Sequence, residues 1–175
     1  MRRRTGESRT LGSINPNHVV RMKKEKLTNL DLSTISYSLT KLPWPYKDGS
    51  VEEISCVHKL EYIPGKLRIP FMEEIWRVLI PSGKATFITC YYTSPRAIQD
   101  PSYEWPPICE QSYLYFNKSF RNTNKLSSIK CDFDFTYGYV ADPDTAARNQ
   151  ESQSFWIKHY IGAVLDLQVT LTKRA

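Results

Sequence analysis

Apolar residues along the chain fall into a few periodic runs, and each run predicts an element. Leu27-Thr-Asn-Leu-Asp-Leu32 reads as a short strand that ends on an acid. Val51 to Leu60 is apolar at Val51, Ile54, Cys56, Val57 and Leu60, a buried strand running into a short helix. From Pro70, the residues Phe71, Ile75, Val78 and Leu79 recur at helical spacing and define one apolar face. Pro70 suits a first helical position, where its missing N–H costs nothing. Pro81-Ser-Gly83 stops that helix, and Lys84 to Tyr92 reads as a central strand rich in β-branched and aromatic residues.

Two later runs alternate strictly. Ile129, Cys131, Phe133, Phe135 and Tyr137 share one face, as do Leu165, Leu167, Val169 and Leu171. A helix is expected between them, around residues 146–162. Helix-then-strand early and alternating strands late predict an α/β fold: a mixed sheet with an antiparallel C-terminal strand pair. The proline-rich stretch from Tyr92 to Pro107 follows the carboxyl end of the central strand. Ligands of open α/β sheets bind at that edge.

Charge divides the chain in two. Of 24 Lys+Arg and 18 Asp+Glu, eight basic and two acidic residues lie in the first 26 positions. The whole net charge of +6 therefore sits on a basic N-terminal arm, and residues 27–175 form a balanced domain. The arm predicts at most a weak nucleic-acid contact; a solvated tail is the alternative. No apolar run reaches the ~18 residues a membrane span needs, and no apolar segment follows the early arginines as in a secretory signal. Cys56, Cys90, Cys109 and Cys131 include no close pair of the kind that binds zinc. Reduced thiols, no metal and a cytoplasmic location are the expectation.

The order of motifs carries a resemblance. Leu42-Pro-Trp-Pro-Tyr precedes Asp48-Gly-Ser-Val-Glu-Glu-Ile54, then His58-Lys-Leu-Glu61, then Phe71-Met-Glu-Glu-Ile-Trp-Arg77-Val-Leu-Ile-Pro-Ser-Gly83. Over roughly residues 11–172 this is similar to a class I S-adenosylmethionine-dependent methyltransferase with a Rossmann-like fold. The run Tyr91 to Pro101 resembles a small subgroup common in bacteriophage genomes. Arg77 is expected to pair with Glu73 or Glu74 on the helix surface.

The resemblance implies a cofactor, S-adenosylmethionine, and sites for it. Gly12 falls in the family's glycine-rich loop, although Ile14 stands where a second glycine is expected, so the first strand is shortened or altered. Asp31, closing the second strand, would accept the ribose hydroxyls. Ser38 and Leu39 stand where the family has an acid–leucine pair around the adenine. His58, at the end of the fourth strand, lies beside the transferred methyl. Tyr91, Tyr92, Arg96, Tyr103 and Trp105 are expected to bind the methyl acceptor. Asp100, Glu104 or His58 would act as general base where the acceptor must lose a proton. Ile14, Ser38, Tyr62 and Tyr103 depart from the family and motivate the alternative, a catalytically inactive methyltransferase-like binding protein. A lost first strand would leave an edge that a homodimer could close.

Overall fold

A computed structural model of the chain describes residues 27–35, 38–126 and 128–174. The expectations for Gly12, Ile14 and the basic arm fall outside these residues. Five strands form one sheet: β1 (Leu27–Asp31), β2 (Val51–Val57), β3 (Leu79–Cys90), β4 (Phe133–Ala141) and β5 (Val164–Lys173), in the order β1-β2-β3-β5-β4. β1, β2 and β3 pair in parallel, whereas β5 runs antiparallel to both β3 and β4. The mixed sheet with an antiparallel C-terminal pair is therefore present.

The helices are α1 (Gly65–Val78), α2 (Arg96–Gln99), α3 (Lys118–Thr123), α4 (Pro143–Ala146) and α5 (Gln150–His159). Helix α1 begins a turn and a half earlier than its proline signal implied, with Pro64 at the N-cap and Pro70 inside. Pro70 removes one backbone donor, yet Phe71, Met72, Ile75 and Val78 on the buried face hold the helix to the sheet. The helix expected around residues 146–162 is split into α4 and α5, capped by Asp142 and Asn149. Each cap side chain accepts a backbone N–H from the first turn, which favours a fresh start over one continuous helix.

Pro81-Ser-Gly83 does not separate helix from strand; it forms a bulge inside β3. The pairing steps from Val51–Leu79 to Glu53–Lys84, so the extra residues are accommodated there. A Cβ on Gly83 would sit 2.9 Å from Ile80 O and 3.0 Å from Glu52 O, which explains glycine at this point. The first alternating run is also displaced: Ile129 and Cys131 are buried but precede β4, and burial fades by Tyr137.

Arg77 reaches more than the helix surface. Its guanidinium donates to both Glu74 oxygens (2.9 and 2.5 Å) and to Tyr46 O (2.9 Å), while Trp44 N–H donates to Glu74 Oε1 at 2.6 Å. This cluster fastens the Leu42–Asp48 loop to α1. Trp44 then packs edge-on against Phe71, with ring centroids 5.6 Å apart.

Candidate functional site

The carboxyl ends of β1, β2 and β3 lie side by side, and the chain changes direction at each. After β2, His58 takes a left-handed backbone conformation (φ +48) while its N–H still donates to Ile88 O at 2.8 Å. Such a φ is uncommon outside glycine and marks a sharp exit from the sheet. The turn Leu60–Tyr62 follows and points Glu61 back under His58.

Glu61 is 4% exposed and organises this edge. Its Oε1 accepts the Cys90 N–H at 2.7 Å and lies 3.2 Å from His58 Nδ1. Its Oε2 is buried with no hydrogen-bond partner among the described residues. Cys90 Sγ lies 3.9 Å from His58 Nδ1 and 3.7 Å from the Tyr103 hydroxyl. Burial pushes the Cys90 thiol up, and the same cause raises the Tyr103 phenol.

Residues 96–108 form one wall of a cleft of about 290 Å³, which Glu61, Arg68, Cys90, Asp100, Tyr103, Glu104 and Trp105 help to line. The wall is pinned to the Leu60–Tyr62 turn. Glu104 N–H donates to Glu61 O at 2.8 Å, and Arg68 donates to Ile63 O, Glu104 O and Pro106 O at 3.0, 2.9 and 2.5 Å. On the other side of the turn, a pocket of about 400 Å³ is lined by Ser38, Leu39, Thr40, Lys59, Tyr62 and their neighbours. Tyr62 lines this pocket and Tyr103 lines the cleft. The two rings meet edge to face, centroids 4.9 Å apart, as a partition.

The sequence-predicted residues are placed as follows. Asp31 ends β1, and its Oδ1 accepts the Ser33 N–H at 2.9 Å. Ser38 Oγ bonds Thr40 Oγ1 at 2.9 Å, and Leu39 O accepts the Trp44 indole N–H at 3.1 Å. Asp100 accepts from Ser102 (2.6 and 2.9 Å) and from the Tyr62 hydroxyl (3.1 Å). The Ser102 hydrogen bonds, joined by that of Tyr62, hold its carboxyl below the usual range, so it is a weak base. Trp105 is 79% exposed at the cleft rim. Tyr91 is buried, wedged between the rings of Tyr92 and Tyr139, and lines neither pocket. Tyr92 is half-exposed and also outside both, and Arg96 is drawn to Asp166, with Nη1 to Oδ2 at 3.0 Å. Arg68 and Asp166 were not singled out in sequence; Glu61 entered only through the His58-Lys-Leu-Glu61 motif and Cys90 only as one of the reduced thiols. An acid amid the apolar Val164–Leu167 run was the signal for Asp166.

No protein-family model and no curated protein matches the chain. Solved structures do. A SAM dependent methyltransferase from Archaeoglobus fulgidus is 10% identical, with a TM-score of 0.55 over 79% of this chain and 66% of that one. YcgJ protein from Bacillus subtilis is 13% identical (TM-score 0.45, covering 79% and 70%), and an S-adenosylmethionine dependent methyltransferase from Mesorhizobium loti is 16% identical (0.42, covering 78% and 68%). The fold is that of the class I methyltransferases. At these identities the likeness is one of fold, and the chain matches just under two thirds of the Archaeoglobus protein.

The methyltransferase fold gives the strands their places. In the doubly wound order 3-2-1-4-5-6, the neighbour of the fourth strand is the first. β1 pairs directly with β2, the strand that carries His58, so the strand ending on Asp31 stands in the first strand's place rather than the second's. Among the described residues no strand or helix lies between β1 and β2. The segment after β1, Leu32-Ser-Thr-Ile35, contains no glycine and is tied down. Ser33 Oγ accepts the Val57 N–H at 3.2 Å and donates to Val57 O at 3.3 Å.

Proposed function

We propose that the protein transfers a methyl group from S-adenosylmethionine to an acceptor held in the cleft beneath Tyr103, Glu104 and Trp105. The observation that carries this reading is the pair of pockets flanking the Leu60–Tyr62 turn at the carboxyl edge of the sheet. Methyl transfer is an in-line displacement and needs donor and acceptor on opposite sides of one carbon. Bound S-adenosylmethionine supplies that carbon as an electrophilic sulfonium methyl.

Asp31, in the first strand's place, would contact the cofactor through charge-assisted hydrogen bonds, with Oδ1 also accepting the Ser33 N–H. Ser38 and Leu39 would receive the adenine in the outer pocket. Tyr62 and Tyr103 form the partition across which transfer occurs, beside His58. For acceptors that lose a proton, Glu104 or His58 would take it, since the Asp100 carboxylate is already engaged by Ser102 and Tyr62. The phage-type resemblance rests on Tyr91 to Pro101 alone. A weak nucleic-acid contact belongs to the basic arm, and a homodimer to the β1 edge. Among the described residues no helix is long and apolar enough to cross a membrane.

One observation favours a second reading, a binding protein without methyl transfer. The segment after β1 lacks glycine and is bonded to β2 through Ser33, where a cofactor would need close backbone approach. Calorimetric titration with S-adenosylmethionine decides between the two: saturable heat supports the enzyme, and none supports the binding protein.

A further inference from the structure

Cys90 on β3 and Asp166 on β5 are directly opposed in the antiparallel ladder, so their side chains leave the same face of the sheet. His58, immediately after β2, reaches the same point. A ring nitrogen of His58, Cys90 Sγ and an Asp166 carboxylate oxygen all lie within 4.8 Å of one another, and Nδ1 is 3.9 Å from Sγ. At the tetrahedral angle, zinc bonds of about 2.3 Å to sulfur and 2.1 Å to nitrogen place two such ligands roughly 3.6 Å apart. The His58–Cys90 spacing of 3.9 Å is close to that, and the third ligand must move inward by up to roughly 1 Å on binding.

A second observation is independent of this spacing. Asp166 is 8% exposed; Arg96 takes its Oδ2, while Oδ1 is buried with no hydrogen-bond partner among the described residues. Glu61, whose Oε1 meets His58, has its Oε2 buried with no hydrogen-bond partner among the described residues as well. Buried ionised oxygens are paired or bound to metal in stable proteins. Among the described residues, these two carboxylates have one guanidinium partner, that of Arg96 on Asp166, since Arg68 directs its N–H groups to backbone carbonyls.

We propose that His58, Cys90 and Asp166 bind a divalent transition metal, zinc by ligand type, with Glu61 as the outer carboxylate that balances its charge. An imidazole, a thiolate and a carboxylate suit zinc rather than magnesium or calcium. On binding, the Cys90 S–H bond breaks, its proton leaves to solvent, and the sulfur forms the metal bond in place of a metal-bound water. Three protein ligands leave a fourth position of the kind that catalytic zinc sites keep open. Cys90 also lines the acceptor cleft. The site shares His58 and Cys90 with the proposed methyl-transfer site, but its test reads metal binding, which does not require S-adenosylmethionine. It was hidden in sequence because its ligands come from three separate strands or strand ends, with no paired cysteines.

The test is titration of metal-free full-length protein with Co²⁺ and then Zn²⁺. The expected result is one equivalent of Co²⁺ giving a sulfur-to-cobalt charge-transfer band, removed by Zn²⁺. Cys90→Ser abolishes the band, and Cys109→Ser, at a partly buried thiol outside the cluster, leaves it intact. His58→Ala and Asp166→Asn each weaken binding by at least roughly tenfold, a loss seen even for outer ligands. Absence of the band in the wild type, or its survival in Cys90→Ser, overturns the proposal. Should Cys90→Ser not fold, alkylation of the wild type with and without Zn²⁺ replaces it. Protection of Cys90, read by peptide mass, supports the site, and equal labelling overturns it.

Discussion

His58 Nδ1 lies 3.2 Å from Glu61 Oε1, the same oxygen that accepts the Cys90 N–H at 2.7 Å. One carboxylate thus joins the exits of β2 and β3, and it does so from a buried position. Replacing Glu61 by alanine strands the Cys90 N–H, which costs about 1–3 kcal/mol. For a chain of this length that is a Tm lower by roughly 2–4 °C per kcal/mol, measured by calorimetry or circular dichroism. An unchanged Tm would mean this bond does not hold the edge together.

Arg77 and Glu74 form the second fastening. Glu74 is largely buried and shares its oxygens between Arg77 and the Trp44 N–H. Removing one member of such a pair leaves an uncompensated charge, so Arg77→Ala should destabilise by about 3 kcal/mol. Arg77→Lys should recover little, because lysine cannot reproduce the fork that also reaches Tyr46 O. Urea denaturation midpoints of the three proteins measure both effects.

Acid should weaken the same cluster. Burial alone would raise the Glu74 carboxyl, but the Arg77 and Trp44 hydrogen bonds outweigh it and hold the group below its usual value. A carboxyl depressed on folding contributes stability that is present above the unfolded value of about 4.3 and lost as pH falls through the folded one. Wild-type Tm should therefore drop more steeply below about pH 4 than that of Glu74→Gln. Parallel curves for the two proteins would refute the assignment.

How much of this was legible in sequence follows from where each constraint lies. β2 and β5 could be read because their apolar residues are consecutive or alternate locally. The start of α1 could not, because Pro70 mimics a first-turn signal while tertiary burial of Phe71 and Met72 tolerates it within the helix. Asp31 was seen at a strand end, but its place in the sheet depends on pairing with Val51–Val57, which no local pattern encodes. Tyr91 looked like a cleft residue beside Tyr92, and only the packing of Tyr139 from β4 shows it is buried. Cys90 and Asp166 are 70 or more positions apart and meet through register alone.

Asp31→Asn separates cofactor contact from local structure. The amide oxygen can still accept the Ser33 N–H, so Tm should hold while the negative charge is lost. A charge-assisted hydrogen bond is worth about 1.5–3 kcal/mol, which predicts weaker S-adenosylmethionine binding by roughly 10–100-fold. Equal affinity in the two proteins would remove Asp31 from the site.

The direct test of the account is calorimetric titration of the folded, full-length protein with S-adenosylmethionine. The methyltransferase reading predicts saturable one-site heat, reproduced by the demethylated product S-adenosylhomocysteine, which shares the nucleoside. No heat at millimolar ligand, with folding verified by circular dichroism on the same sample, would contradict it.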